Sequence, residues 1–295
     1  MKPTSLLAFA GRHKRQLPVL LLLLVSLVLV FNRFAHTRPA QAEGHPRDWT
    51  EIQASGILHA TTEYNSLSYH VEGDTLSGFH YELVHAFARS HGLQVDVVPL
   101  MSFEQRLEGL WQGRFDLIAY NLLSTSQLKD TLALTIPLMS HKQVIVQRKV
   151  QADDSAYIHS QLDLAHRTLH VVKGSPTLLR IHNLSNEIGD TIYTREVERY
   201  GQEQLLAMVA HGDIDYAVAD ESLARSMLDS FPQLDISTDL SFNQFYAWGV
   251  SKQQPELLRV LNEWLQNYLS TPEYKKLYRK YYAGKKPVNR KKPNT

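Results

Sequence analysis

Two short stretches carry the polar groups best placed to hold a small charged molecule. Gly174-Ser175 stands immediately before Pro176 and Thr177, where a helical pattern begins. A helix N-terminus presents unpaired N–H groups and partial positive charge, so Gly174 and Ser175 are candidates to cradle a carboxylate. The same residues also suit a plain N-cap turn, and Pro176 removes one donor from any cradle. Asp220 ends the apolar run Tyr216-Ala217-Val218-Ala219, at the carboxyl edge where α/β proteins bind ligands. Asp is equally suited to capping the helix that begins at Glu221, and the two roles are compatible. Asn121 follows a second apolar run, Leu117 to Tyr120, and offers a hydrogen-bonding amide there.

Other chemistries are excluded by what the chain lacks. Its 295 residues include no cysteine, which removes disulfides, thiolate nucleophiles, thiolate metal sites and a lipid-modified N-terminal cysteine. The 14 histidines do not assemble a metal motif: His80 and His85 are off one helix face, His166 and His170 straddle a loop and a strand, and no His-Glu-x-x-His occurs. Neither a metal nor another cofactor is expected. A net charge of +1 with interspersed signs gives no field that would draw nucleic acid.

The elements that must position these residues are announced by a repeated phrase. Leu107 to Tyr120 reads as an amphipathic helix, a Gly stop, an Asp and a short apolar strand, and Leu205 to Ala219 reads the same way. In both, Gly (113 and 212) stands three residues before the Asp (116 and 215) that opens the strand, the helix-to-strand connection of an α/β unit. Two such units suggest two similar lobes facing each other across a ligand cleft. Around them the pattern predicts strands at 56–62, 93–100, 144–146, 168–172, 216–219 and 245–250, and helices at 78–89, from 177, at 255–269 and at 272–282. Right-handed crossovers make the first sheet parallel.

The ends differ from this body. Lys2, Arg12, Lys14 and Arg15 precede the apolar run Leu17 to Phe31, and Ala40-Gln41-Ala42 offers a small-x-small cleavage site. Residues 1–42 are therefore expected to be a signal peptide or a membrane anchor, with the remainder outside the inner membrane, and 285–295 a basic flexible tail.

Gly78-Phe79-x-Tyr81-Glu82-Leu83, Gly113-x-x-Asp116, Lys173-Gly174-Ser175, Tyr216-Ala217-Val218-Ala219-Asp220 and the closing run Tyr274 to Tyr282 together resemble the family-3 bacterial extracellular solute-binding proteins of the polar-amino-acid type. The order is also similar to the non-catalytic N-terminal domain of the membrane-bound lytic transglycosylases F. The resemblance implies an α/β, two-lobed, type II periplasmic-binding-protein-like (Venus-flytrap) fold with a two-strand hinge. Lobe one would be 43–140 plus 247–284, and lobe two 141–246. It implies a non-enzymatic monomer that closes on a small polar solute in the periplasm, for delivery to an inner-membrane permease or for report to a membrane-bound signalling partner. The alternative implied is a sensor or scaffold that binds a peptidoglycan fragment.

The resemblance also implies site roles. Asp220 would hold a ligand ammonium group, and Tyr64 and Phe103 would sandwich its side chain. A departure stands against a free amino acid: where the family carries Arg in Thr-x-x-Arg to grip a carboxylate, this chain reads Thr125-Ser126-Gln127-Leu128. His80 likewise replaces a common Asp. Glu221-Ser222 matches the transglycosylases' catalytic dipeptide but lacks its glycine-rich context, so no lytic activity is expected.

Overall fold

The computed structural model describes residues 44–149 and 156–282. The export segment and the basic tail read from the sequence lie outside those residues. Helix α1 (Trp49–Ser55) leads into β1 (Ile57–Thr62), the hairpin β2 (His70–Glu72) and β3 (Thr75–Ser77), α2 (Phe79–Ser90), β4 (Gln94–Pro99), α3 (Phe103–Trp111) and β5 (Leu117–Leu123). Short pieces follow: α4 (Ser126–Thr131), β6 (Ala133–Leu134) and β7 (Met139–His141). The second half holds β8 (Gln143–Arg148), a 3-10 turn (Gln161–Leu164), β9 (Thr168–Val172), α5 (Thr177–Ile188), β10 (Tyr193–Val197), α6 (Gln202–His211), β11 (Ala217–Asp220), α7 (Glu221–Met227) and β12 (Leu234–Asp235). The chain then returns through β13 (Gln244–Val250), α8 (Pro255–Tyr268) and α9 (Pro272–Tyr282).

Apart from the β2–β3 hairpin, these strands form two separate sheets, ordered β4-β1-β5-β13-β6 with β7 on β13, and β10-β9-β11-β8-β12. The fold is α/β and two-lobed. β1 runs parallel to β4 and β5, as right-handed crossovers require, whereas β13 adds antiparallel to β5. The chain passes between sheets at Lys142, where β7 gives way to β8, and again between β12 and β13.

The repeated phrase explains the matching halves. Gly113 and Gly212 both take positive φ, +68° and +85°, which lets each chain turn out of its helix without a Cβ clash. The Asp that follows meets an Arg in both copies, in unlike settings. Asp116 is fully buried, accepting from His59 N at 2.8 Å and from Arg47 Nη2 at 2.5 Å. Asp215 is exposed and pairs with Arg148 Nη2 at 2.7 Å.

Apolar residues at helical spacing on α2, notably Leu83, Val84 and Phe87, pack with Leu58, Ala119 and Trp248 into the first lobe's core. Full burial of each Leu, Val or Phe contributes roughly 1.5–3 kcal/mol. Helix α9 clasps the start of α2: Gly78 N donates to the Tyr281 hydroxyl at 2.8 Å, Tyr281 meets Glu82, and Lys280 Nζ reaches Glu82 Oε1 at 2.6 Å. Gly78 is indispensable here, with φ +143° and a would-be Cβ 2.2 Å from the Ser68 carbonyl oxygen. Gly78→Ala is expected to cost about 2–3 kcal/mol, read as a lower urea midpoint. An unchanged midpoint would show that the Ser68 segment can move aside freely.

Candidate functional site

One cavity opens where the carboxyl ends of β1 and β5 face those of β9 and β11, and it leaves about 70 Å³ of free volume. The lobes touch beside it: Ser66 N donates to Glu203 Oε1 at 2.8 Å. Four sequence-derived candidates, Phe103, Asn121, Ser175 and Asp220, come together in its wall. Gly174 and Tyr64 do not. Gly174 faces a neighbouring groove that it shares with Leu128, and its N–H donates to Glu196 Oε2 at 2.8 Å. Tyr64 is 45% exposed and rests near Tyr69, ring centroids 6.3 Å apart.

The first lobe supplies a buried ion pair that sequence reasoning missed. Glu63, one residue past β1, lies 3.3 Å from Arg106 on α3, and both are almost fully buried. Arg106 Nη1 also donates to the Leu100 carbonyl at 2.6 Å, and its guanidinium lies over the Tyr120 ring, 4.7 Å from the centroid. Burial pushes the Glu63 carboxyl up, and the Arg106 charge pulls it back. Burial and then the Glu63 charge push the neighbouring Tyr120 phenol well above its ordinary range. Arg106 had left a trace in the sequence: it sits in the stripe Phe103, Arg106, Leu110, where three-and-four spacing calls for an apolar residue.

Asn121 is held before any ligand arrives. Its Oδ1 meets His80 Nε2 at 3.0 Å, its Nδ2 donates to the Tyr282 hydroxyl at 3.3 Å, and Trp248 Nε1 donates to His80 Nδ1 at 2.9 Å. With Nδ1 accepting from the indole, Nε2 is the imidazole's protonated nitrogen. Burial lowers the His80 pKa to about 3.

The second lobe contributes Asp220 and Gln143, directly opposite each other on the antiparallel pair β11 and β8, so their side chains share a face. Asp220 Oδ1 caps α7, accepting from Ser222 N at 2.9 Å and Leu223 N at 3.3 Å. Its Oδ2 makes no hydrogen bond of normal geometry, with the Tyr246 hydroxyl its neighbour. Burial raises the Asp220 carboxyl, with His141 opposing the shift. The Tyr246 hydroxyl makes no hydrogen bond of normal geometry, although after burial the Asp220 charge is the strongest influence raising its phenol. Gln143 Nε2 donates to Thr177 Oγ1 at 2.7 Å, which leaves Oε1 unpartnered. Gln143 could not be found from sequence, because its place opposite Asp220 is a matter of strand order.

The α5 N-terminus is already occupied by its own chain. Ser175 N donates to Val172 O, Thr177 N to Ser175 Oγ, and Leu178 N to Ser175 O. Ser175 Oγ in turn donates to Thr177 Oγ1 at 2.8 Å. The arrangement is a cap turn. Leu128 is buried with Leu110, Ile118, Leu122 and Leu132. Among the described residues no group of three or more His, Asp or Glu is placed to hold a metal, and no helix is long and apolar enough to cross a membrane.

Two lobes, a cavity between them and a chain that passes twice from one sheet to the other define the two-lobed α/β fold of the type II periplasmic binding proteins. The chain belongs to the bacterial extracellular solute-binding proteins, family 3, whose model matches residues 57–284. It is similar to the membrane-bound lytic murein transglycosylase F of Photobacterium profundum, 26% identical over 237 residues that make 80% of this chain and 46% of that one. The transglycosylase F of Vibrio parahaemolyticus is also 26% identical, covering 92% of this chain and 53% of its own. The chain thus spans about half the length of these relatives. Among solved structures, an uptake-transporter substrate-binding protein from Streptococcus pneumoniae with bound histidine superposes with a TM-score of 0.70 at 18% identity, over 80% of this chain and 96% of that one. The arginine-bound, truncated ArgBP of T. maritima gives a TM-score of 0.64 at 24% identity, covering 75% and 100%. At such identities the likeness is one of fold.

Proposed function

We propose that this protein is an extracytoplasmic receptor that closes on a small polar solute and presents it to an inner-membrane permease or a membrane-bound signalling partner, with no chemical step of its own. One observation carries the reading: the cavity between the lobes is walled by buried polar atoms that make no hydrogen bond of normal geometry in the protein, Asp220 Oδ2, Gln143 Oε1, the Tyr246 hydroxyl and Arg106 Nε. Such atoms are costly to bury unless something else satisfies them. The dipeptide Glu221-Ser222 gives no support to a lytic role, since Glu221 pairs with Arg225 at 2.6 Å and Ser222 Oγ bonds His141 at 2.9 Å.

The transglycosylase F relatives leave a second reading open, a sensor or scaffold for a peptidoglycan fragment, and ligand identity separates the two. A thermal-shift screen of amino acids, amines and muropeptides is the direct test, since a ligand that binds only the folded state raises Tm by mass action. Asp220→Asn serves as the site control. Asn caps helices as well as Asp, so α7 keeps its cap. The Asp220 carboxyl has a folded pKa above its unfolded one, so it costs stability as pH rises through the raised value. Its removal is therefore expected to leave the apo protein at pH 7 as stable or about 1 kcal/mol more stable, while the ligand-induced shift disappears. A variant that retains the full shift would take Asp220 out of the site.

A further inference from the structure

The receptor reading leaves the solute's chemistry open, and the cavity wall narrows it. Most of the groups in the cavity wall that could grip a carboxylate are already engaged. Leu128, at the place of the family's gripping Arg, is packed in an apolar cluster. The N–H groups opening α5 are bonded within their own turn, and Gly174 N is held by Glu196. Lys173 lines the cavity, but its ammonium is tied to Glu198 at 2.8 Å and half-exposed. Arg106 gives both Nη atoms to Glu63 and one also to Leu100 O, which spends three of its five N–H donors and leaves Nε without a partner. Because Glu63 already balances its charge, the N–H groups that remain suit a neutral hydroxyl or carbonyl oxygen.

What remains open is of the opposite sense. Asp220 Oδ2 and Gln143 Oε1 are acceptors, the Tyr246 hydroxyl can accept, and all three residues are more than nine-tenths buried. An ammonium group has three N–H donors to give. The charges in the wall also fall unevenly, because Glu63 and Arg106 answer each other and Lys173 turns to Glu198, leaving Asp220 as the carboxylate without a cation in contact. We infer that the solute is a small organic ammonium ion that carries no carboxylate, its nitrogen held by Asp220, Gln143 and Tyr246. A carboxylate brought into this cavity would be buried with only the leftover N–H groups of a guanidinium already neutralised by Glu63 to receive it, a large cost. The inference rests on the receptor reading.

The test uses matched pairs that differ by loss of the carboxylate: tyramine against tyrosine, histamine against histidine, and putrescine against ornithine. A purified muropeptide is added as a separate arm. Each is titrated into the full chain by calorimetry and followed by thermal shift, with Asp220→Asn in parallel. The expected result is that at least one amine binds at least tenfold more tightly than its parent amino acid, and that Asp220→Asn removes this binding. A parent amino acid that binds as well as or better than its amine overturns the inference and leaves the receptor reading standing. A muropeptide that binds where no amine does has the same consequence. Silence from every arm, with the protein shown folded by its melting transition, overturns both.

Discussion

Acidification is expected to unfold this protein with an unusually large contribution from one imidazole. His80 is fully buried between Trp248 and Asn121, and burial holds its pKa at about 3 against an ordinary 6.5. The unfolded chain takes up a proton near pH 6.5 that the folded chain refuses until about pH 3. Stability from His80 is therefore complete above the unfolded value and drains away as pH falls, by about 1.4 kcal/mol per pH unit, reaching roughly 4–5 kcal/mol near pH 3. The comparison that isolates it is His80→Gln, whose amide can still accept from the indole and donate to Asn121. Urea unfolding at pH 7 and pH 4 should show the parent losing about 3 kcal/mol more than the variant. Equal losses would mean that His80 is protonated in the folded state or reached by water.

Arg106→Met is expected to cost about 3–5 kcal/mol, because it strands Glu63 as a buried carboxylate with no counter-charge. Met fills similar space beside Tyr120 and Phe103, so lost packing contributes little. Adding Glu63→Gln to the same chain removes the stranded charge and should recover most of the loss. The single variants and the pair form a double-mutant cycle read by urea midpoint, and strong non-additivity is the signature of the pair. Additive costs would show that Glu63 and Arg106 act separately. Since both line the cavity, the double variant also asks whether the pair shapes ligand choice or only holds the wall.

The main elements were legible because their signals are local. Apolar three-and-four spacing marked α2, α3, α8 and α9, and the two Gly-x-x-Asp junctions marked where helix gives way to strand. The short pieces α1, α4, β6, β7 and β12 escaped, because none is long enough to display a period and tertiary pairing makes them. At the site the misses have a common cause in alternation. Successive side chains near a strand end point to opposite sides, so with Glu63 turned into the cavity its neighbour Tyr64 stands in solvent. Asp220 was visible from the end of its strand, but Gln143 beside it depends on which strand pairs with which. Sequence leaves Gly174 between a carboxylate cradle and a plain cap turn, and only β10's approach reveals that Glu196 takes its N–H.

The three open acceptors lie close to the places where the chain changes sheets. Gln143 comes directly after Lys142, Asp220 is its cross-strand partner, and Tyr246 is on the strand that carries the chain back. The Ser66 and Glu203 contact joins other segments, the loop after β1 and helix α6. In any jaw-like rotation, displacement grows with lever arm, so atoms at the fulcrum keep their spacing while the rim swings apart. Recognition would then be assembled before the jaws meet, and shutting them would add exclusion of water rather than new grip.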